Sequence, residues 1–264
     1  MEPYHRRDQI FRQLVDTGEV SIAQLAEELN VSEMTVRRDL EALEADGRAR
    51  RVRGGAISLI SRAYEPPLAV RNSTAADAKA AIGRAAAELV DDGDTVIIDT
   101  GSTALAVARS LRARRGLTVV TPSPLVVMEL GGEPGIRLYI VGGYVRTNEF
   151  SVIGGDAEDT FRRVNCDLAF IGVAGVHPER GFTEYNADDA RVKRAAIAAA
   201  RRSVVVADET KLGKLAFALV APATNIDSLI TDAPRGHPVV TRLAALGTEV
   251  ICVETSRSAG TAVG

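Results

Sequence analysis

Apolar side chains recur at helical spacing in three successive short segments near the start of the chain. The spacing predicts helices over residues 5–17, 21–29 and 32–46. Asn30-Val31 predicts a tight turn between the second and third helices, because asparagine tolerates left-handed backbone geometry. From Arg48 to Ile57, basic and apolar residues alternate as they do in a small hairpin. Three helices followed by a hairpin predict a winged helix-turn-helix domain over residues 1–57.

Polar side chains at the predicted helix starts support these boundaries. Ser21 followed by Gln24 is a capping box, in which the hydroxyl accepts from a backbone amide three residues on. Ser32 is predicted to cap the third helix in the same way. The periodicity of that helix buries either Met34 or Val36.

From Asp77 onward, alanine-rich amphipathic segments alternate with short β-branched runs. The runs are Thr95–Asp99, Leu117–Thr121, Leu138–Val141, Leu168–Ile171, Val204–Ala207, Ser228–Thr231 and Val250–Val253. Such alternation predicts an α/β domain over residues 77–254, with a mostly parallel sheet covered by helices.

Two further segments separate or follow these domains. Residues 58–76 are polar and contain Pro66-Pro67, which disfavours helix on both sides, so they are predicted to be a linker. Residues 255–264 are small and polar and are predicted to be a disordered tail.

Composition narrows the possible partners. The formal net charge is −3, so any contact with nucleic acid must come from local clusters of basic residues. The absence of Trp and the 4% aromatic content argue against stacking platforms for single-stranded nucleic acid. Cys166 and Cys252 have no metal-ligand spacing and are predicted to be buried thiols, and no cofactor or metal is expected. No signal region or membrane-length apolar run is present, which favours a cytoplasmic protein without a membrane partner.

The third helix and the hairpin carry the side chains that would suit double-stranded DNA. Recognition helices place their N-terminal half in the major groove, and wings contact phosphates. The candidate DNA-binding residues are Ser32, Glu33, Thr35, Arg37 and Arg38 on the helix and Arg48, Arg50, Arg51 and Arg53 on the wing. The alternative is an ordinary three-helix bundle with solvated arginines, but four arginines in six residues with no acid among them favour DNA.

The first β-run of the large domain leads into Thr100-Gly101-Ser102-Thr103 and then a helix. A small hydroxyl-rich turn at a helix N-terminus can bind an anion through backbone amides and the helix dipole. The segment lacks both the G-x-G-x-x-G pattern and the Gly-Lys-Ser/Thr of a Walker A loop. A plain turn between strand and helix is the alternative.

Other loops at the ends of the predicted strands carry polar or glycine residues. They contribute Ser123, Gly142 and Gly143 with Arg146, Ile171–Gly175, and Lys211. Ligands of open α/β sheets bind beyond the carboxyl ends of the strands, so these loops suit a small phosphorylated ligand. Lys193 lies on the helix that starts near Ala187, where spacing alone favours a solvated charge.

Two parts of the N-terminal region resemble the signature of the DeoR family of bacterial transcriptional repressors. They are Thr35–Leu40 and Gly47–Ala56, although the family more often has His where Arg53 stands. The resemblance extends across residues 77–232. Its motifs are Lys79–Arg84, Asp99–Thr103, Gly142-Gly143 with Arg146, Asp167–Gly172, Gly181–Thr183, Lys193 and Asp208–Lys211.

The resemblance implies a fold related to ribose-5-phosphate isomerase and a sugar-phosphate inducer that releases the repressor from its operator. It implies phosphate contacts from Gly101, Ser102 and Thr103, and polar contacts from Lys193 and Lys211, with Asp99 in the same site. The chain departs from the family at Thr121–Pro124, where the family often has Thr-Asn-Ser-Leu, and at Ala104, where it often has a second Thr. Since proline has no backbone donor, the first departure alters the hydrogen bonding expected around a sugar.

Catalysis is disfavoured by a missing carboxylate. Sugar-phosphate isomerisation needs a positioned base, and the related isomerases carry Asp-Gly-Ala-Asp where this chain has Val173–Val176. Asp167 lies at the opposite end of that strand, which leaves Asp188 and Asp189 as conceivable bases. We therefore expect a DNA-binding repressor of carbohydrate genes rather than an enzyme, acting as a homo-oligomer, either a dimer or a tetramer.

Two alternatives remain open. One is a sugar-phosphate isomerase- or deaminase-like enzyme that carries a DNA-binding domain. The other is a regulator whose large domain binds a non-phosphorylated ligand or only a protein.

Overall fold

The chain folds into two compact units, residues 1–64 and residues 65–264. The structure, a computed structural model, describes residues 2–58 and 62–255. The tail residues 256–264, predicted to be disordered, lie outside the described residues.

The first unit is a winged helix-turn-helix, as predicted. Its helices are α1 (Pro3–Thr17), α2 (Ile22–Glu28) and α3 (Glu33–Ala45). Its strands are β1 (Glu19–Ser21), β2 (Ala49–Val52) and β3 (Gly55–Ser58), in the order β1-β3-β2 and all antiparallel. Fully buried Ile10, Leu14, Leu25 and Leu40 join the three helices in one core.

Local details of this unit confirm one predicted cap and contradict another. The Ser32 side chain accepts from the amide of Thr35, as expected of a cap. The predicted capping box at Ser21 is wrong, because Ser21 makes no side-chain cap bond and instead pairs with Gly55 in the sheet. Val36 is the buried residue of α3, whereas Met34 is 60% exposed.

The second unit is built on a seven-stranded sheet in which every neighbouring pair is parallel. Each of its strands overlaps one of the seven predicted β-runs, and four of those runs extend one residue beyond the end of the strand. In spatial order they are β15 (Glu249–Cys252), β14 (Ser228–Thr231), β12 (Ala200–Val206), β9 (Cys166–Gly172), β4 (Thr95–Ile98), β5 (Leu117–Thr121) and β6 (Ile136–Ile140). The predicted mostly parallel sheet is thus confirmed.

Helices cover both faces of this sheet. They are α5 (Ala76–Glu88), α6 (Ser102–Ser110) and α7 (Pro124–Leu130) on one face, and α8 (Gly155–Arg162), α9 (Ala187–Ala198) and α10 (Pro238–Ala245) on the other. The short helix α4 (Leu68–Ser73) contacts α6. Alternate residues of β9 enter two separate cores, with Phe170 packed in the α5–α7 layer and Ile171 in the α8–α10 layer. This alternation is expected of a strand buried on both sides.

Two small antiparallel sheets complete the second unit. One consists of β10 (Gly175–His177), β11 (Gly181–Glu184) and β13 (Ala218–Ala221). The other is a hairpin of β7 (Tyr144–Arg146) and β8 (Ser151–Ile153). The sequence patterns did not predict these short strands.

Helix α4 lies inside the predicted linker, so the expectation of a polar segment without helix is wrong for residues 68–73. Pro67 stands at the N-cap of α4. Proline restricts the residue before it but is tolerated at the start of a helix. A helix can therefore begin directly after a Pro-Pro pair. Among the described residues, no helix is both long and apolar enough to cross a membrane.

Candidate effector pocket and DNA-binding surface

The predicted anion turn lies at the carboxyl end of β4. Gly101 adopts φ +96°, a left-handed conformation that favours glycine, and α6 begins at Ser102 directly after it. The first amides of α6 have no partner within the helix, so the turn presents backbone donors together with the positive end of a nine-residue helix.

A pocket opens beside this turn. It is lined by six of the ten predicted effector residues, namely Gly101, Ser102, Thr103, Arg146, Lys193 and Lys211. Four segments that are distant in sequence therefore meet in one pocket, namely the turn into α6, the end of β7, helix α9 and the turn after β12. Ligands of open α/β sheets bind at this carboxyl edge.

The other four predicted residues lie outside the lining. Asp99 sits behind the pocket, where its carboxylate accepts from the Gly172 amide at 3.0 Å. Ser123 is 2% exposed and caps α7. Gly142 and Gly143 form the turn into β7, and a Cβ on Gly143 would lie 2.3 Å from the carbonyl oxygen of Ile153. These residues support the pocket's loops.

Two arginines of the pocket share a carboxylate from the start of the second unit. Glu65 accepts from Arg71 at 3.1 Å and from Arg146 at 2.8 Å. Arg71 also contacts Glu149, and Arg146 also contacts Asp189. Both guanidinium groups are therefore neutralised by carboxylates within the pocket.

Lys193 is also paired, and it is almost completely buried. Its ammonium contacts the Asp99 carboxylate and lies 3.3 Å from the Glu184 carboxylate. Burial opposes the charge of Lys193, but Asp99, Glu184 and Asp189 together raise its pKa above the ordinary value. The reading of Lys193 as a solvated helix charge, favoured by spacing alone, is therefore wrong.

Burial lowers the pKa of a lysine but raises the pKa of a carboxyl group, because it disfavours the charged form of each. It raises the pKa of Glu184, with Lys193 opposing the shift. It also raises the pKa of Asp189, against the opposing charges of Lys193 and Arg146.

Lys211 is the exception among the pocket's cations. Within the described ranges, no carboxylate lies within 4.0 Å of its ammonium, which stands 6.0 Å from the centre of the Tyr185 ring. Burial lowers the pKa of Lys211, Asp208 opposes that shift, and the charges of Arg71 and Lys214 add to it. An anion in the pocket would find its least committed cation here.

Sequence reasoning missed Glu65, Arg71, Glu149 and Glu184 as pocket residues. Glu65 and Arg71 fell in the predicted linker. The signal that could have located Arg71 is Pro67, since a proline just before a run of good helix formers is a helix start. Glu149 and Glu184 have no comparable local signal, because their role depends on tertiary contacts.

The first unit presents its candidate DNA contacts at the N-terminal half of α3. Ser32, Glu33, Arg37 and Arg38 are exposed, and Thr35 is half-buried. Arg37 lies 3.3 Å from Glu33, an exposed pair one helical turn apart that contributes little stability. Arg38 has no ion-pair partner among the described residues.

The wing arginines differ from one another. Arg51 donates from Nη1 to Glu41 at 2.6 Å and from Nε to Glu44 at 2.7 Å. Arg48 stacks over the Phe11 ring at 5.0 Å. Arg50 and Arg53 are exposed and, in the described part of the chain, meet no carboxylate within ion-pair distance. These two are the wing cations most available to phosphates.

A winged helix-turn-helix joined to an α/β unit with a polar pocket at its strand ends defines a ligand-responsive DNA-binding regulator. Residues 6–62 match the DeoR-like helix-turn-helix domain, and residues 74–233 match the DeoR C-terminal sensor domain. The chain belongs to the DeoR family of transcriptional regulators, which confirms the resemblance.

Related transcriptional regulators align over most of their length. The HTH-type transcriptional regulator GolR of Listeria innocua is 34% identical over 88% of this chain and 91% of its own. The putative aga operon transcriptional repressor of Escherichia coli O157:H7 is 32% identical over 94% and 93%. The glycerol-3-phosphate regulon repressor of Escherichia coli K12 is 31% identical over 89% and 92%.

Solved structures show a partial likeness. Ribose 5-phosphate isomerase A from Methanocaldococcus jannaschii is 22% identical, with a TM-score of 0.40 over 53% of this chain and 55% of that one. The Pyrococcus horikoshii translation initiation factor eIF-2B is 17% identical, with a TM-score of 0.42 over 58% and 62%.

Proposed function

We propose that this regulator is a repressor of carbohydrate genes and that a small sugar phosphate, bound in the pocket, releases it from operator DNA. The observation that carries the proposal is the pairing of the Gly101 turn at the start of α6 with Lys211, the cation without a carboxylate partner, in one pocket. Helix N-termini and lysines both bind phosphate. One relative is named for glycerol 3-phosphate, which is consistent with a phosphorylated ligand.

The rest of the pocket suits the hydroxyl groups of a sugar. Glu149, Glu184 and Asp189 line it, and carboxylate oxygens accept hydrogen bonds from hydroxyl donors. A phosphate at the turn and hydroxyls toward these acids would use both halves of the lining. A ligand without phosphate would leave the amides of the turn and Lys211 unused.

Release from DNA would begin at the shared carboxylate. An anionic ligand would compete with Glu65 for Arg71 and Arg146, because both guanidinium groups pair with the Glu65 carboxylate inside the pocket. Glu65 follows Tyr64, the last residue of the winged unit, directly in the chain. Freeing Glu65 therefore changes the segment to which the DNA-binding unit is covalently attached.

The DNA-bound form is proposed to be a homo-oligomer. Helix-turn-helix proteins bind two half-sites with two copies of the recognition helix. Arg38, Arg50 and Arg53 would supply phosphate or base contacts. Because operator DNA must be accessible, we propose that the protein acts in the cytoplasm.

A sugar-phosphate enzyme is the second candidate, and one observation favours it. Glu184 and Asp189 are buried acids with raised pKa values in the pocket, a property shared by catalytic acids and bases. Their pairing with Lys193 and Arg146 favours a structural role instead. We propose that the protein does not turn over its ligand, and an assay for isomerisation or deamination of the bound sugar phosphate tests this.

The deciding experiment is a thermal-shift screen of the full chain against sugar phosphates and the matching free sugars. A phosphorylated ligand should raise the melting temperature by mass action, whereas the free sugar should not. Lys211→Met should weaken binding about 10- to 100-fold, and Lys214→Met is the matched control. The proposal fails if no sugar phosphate shifts the wild type, or if both variants bind equally well.

A further inference from the structure

We infer that strand β6 and the hairpin after it form a self-association surface whose occupant is a second copy of this chain. The inference rests on the homo-oligomer proposed above and names the surface that builds it. Three features support this surface: an open sheet edge, a group of exposed apolar side chains and a register that joins two such edges.

The sheet is open along β6. This strand is the last of the seven and pairs only with β5 among the described strands. The amide of Val141 donates to Thr121 on the β5 side. Because successive residues of a strand direct their backbone groups to opposite sides, Leu138 and Ile140 present N–H and C=O groups away from β5. Such an edge is a template for another strand.

Exposed apolar side chains are frequent on β6 and on the hairpin that follows it. Tyr139, Ile140, Tyr144, Val145 and Phe150, here called the apolar edge, are between 43% and 81% exposed. They fall within twelve residues of chain, whereas large exposed apolar side chains are scattered elsewhere in the described residues. Large exposed apolar patches beside an open strand mark an interaction site rather than a solvated surface.

The residues of β6 are complementary to those of a second β6. A twofold axis through Leu138 makes the two strands antiparallel and pairs the outward N–H and C=O groups of the two Leu138 residues. The outward amide of Ile140 then donates to the carbonyl of the second copy's Ile136, whose own amide donates to Glu133 within its chain. In that register Arg137 faces the second copy's Tyr139, and Ile136 faces the second copy's Ile140. The Arg137 cation thus lies opposite an aromatic ring, and one isoleucine lies opposite another. The two Arg137 side chains are not directly opposed. Self-complementarity of this kind is what a closed twofold interface requires.

Strand β7 connects this surface to the effector pocket. Its first two residues, Tyr144 and Val145, belong to the apolar edge, and its last, Arg146, lines the pocket. Ligand contact with Arg146 would therefore act on the same three-residue strand that the second copy covers.

The register is tested by a charge swap in the full chain, with mass measured by sedimentation over a range of concentrations. Tyr139→Arg places like charges opposite each other and should weaken one association step at least 10-fold. Adding Arg137→Glu should restore association, because each introduced cation then faces a carboxylate of the other copy. Phe217→Arg, at a 65% exposed site outside this edge, is the control and should leave the mass unchanged. Thermal melts verify that each variant is folded.

The possible outcomes distinguish a failure of the proposed surface from a failure of the proposed homo-oligomer. A wild type that is monomeric at all concentrations, with and without operator DNA, would overturn the proposed homo-oligomer itself. An oligomeric wild type whose mass is unaffected by Tyr139→Arg would leave the oligomer standing and overturn the surface. Loss of association that the second substitution does not restore would overturn the Leu138-centred register.

Discussion

Arg6 of α1 and Asp39 of α3 form a buried ion pair with two hydrogen bonds. The Nε–Oδ2 distance is 2.5 Å and the Nη2–Oδ1 distance is 3.2 Å. The side chains are only 11% and 6% exposed. Asp39 follows Arg37 and Arg38 in sequence, where an outward carboxylate would repel phosphate. Turned inward, it fixes the recognition helix on α1.

Replacing Asp39 with Ala should therefore destabilise the winged unit. The substitution removes the carboxylate that neutralises the Arg6 guanidinium, and breaking a buried pair costs about 3 kcal/mol or more. Urea unfolding of the full chain, followed by circular dichroism, measures the loss. Asp8→Ala breaks an exposed pair with Arg12 and should cost no more than about 0.5 kcal/mol. Equal costs for the two variants would contradict burial as the cause.

Arg51 should act on DNA binding differently from its neighbours in the wing. Its bonds to Glu41 and Glu44 tie the wing to α3, so Arg51→Ala should reduce operator affinity by displacing the wing. Arg50→Ala and Arg53→Ala should each remove a phosphate contact and lower the slope of log affinity against log salt by about 0.9. Operator titrations at several salt concentrations distinguish the two effects. A slope for Arg51→Ala that falls as far as that of Arg50→Ala would show that Arg51 contacts phosphate.

Glu65→Gln should strengthen ligand binding. The substitution removes the negative charge that competes with the ligand for Arg71 and Arg146, and we expect about 10-fold tighter binding, equivalent to about 1.4 kcal/mol. Isothermal titration with the sugar phosphate found in the thermal-shift screen measures the change.

Glu158→Gln is the matched control for Glu65→Gln. Glu158 is also a largely buried acid that contacts two arginines, Arg162 and Arg191, but it lies outside the effector pocket. Its substitution should leave ligand affinity unchanged. Competition for the arginines is refuted if Glu65→Gln binds no more tightly than the wild type.

Ligand binding should weaken as the pH rises. The pKa of Lys211 lies below the ordinary 10.5, so its charge is lost as the pH rises through that lowered value, and an anionic ligand needs the charged form. At a pH below this pKa, Lys211 already carries its proton when the ligand binds. At a pH above it, binding must take up a proton, so affinity falls with increasing pH. Lys211→Arg should remove much of the decline, because arginine stays charged. Calorimetry in buffers of different ionisation enthalpy measures the proton uptake, and identical pH profiles for wild type and variant would contradict the role of Lys211.

Local pattern was sufficient to predict the large elements. The five inner strands of the parallel sheet are largely buried on both faces, so their β-branched runs are visible without any tertiary information. The same holds for α1 to α3, whose apolar stripes face one small core. Ser21 shows the limit, because a good capping sequence was overridden by sheet pairing with Gly55.

Only part of the pocket could be predicted from the sequence. Its glycine and hydroxyl turn has a local signature, but the partners of its cations do not. Glu65 and Arg146 are 81 residues apart and meet only after folding. A charged residue in a polar segment looks the same whether it is solvated or paired, so the sequence pointed to Arg146 as a pocket residue but could not identify Glu65 as its partner.

The shared Glu65 carboxylate also sets a threshold. Because Arg71 and Arg146 are already satisfied, a ligand gains their contacts only after it has separated existing ion pairs. That cost lowers the apparent affinity, as it does for any protein whose binding-competent state is a minor one. Under the proposed function, traces of the sugar phosphate would leave the genes silent, and transcription would begin only when the metabolite accumulates, at a concentration set by the strength of two arginine contacts.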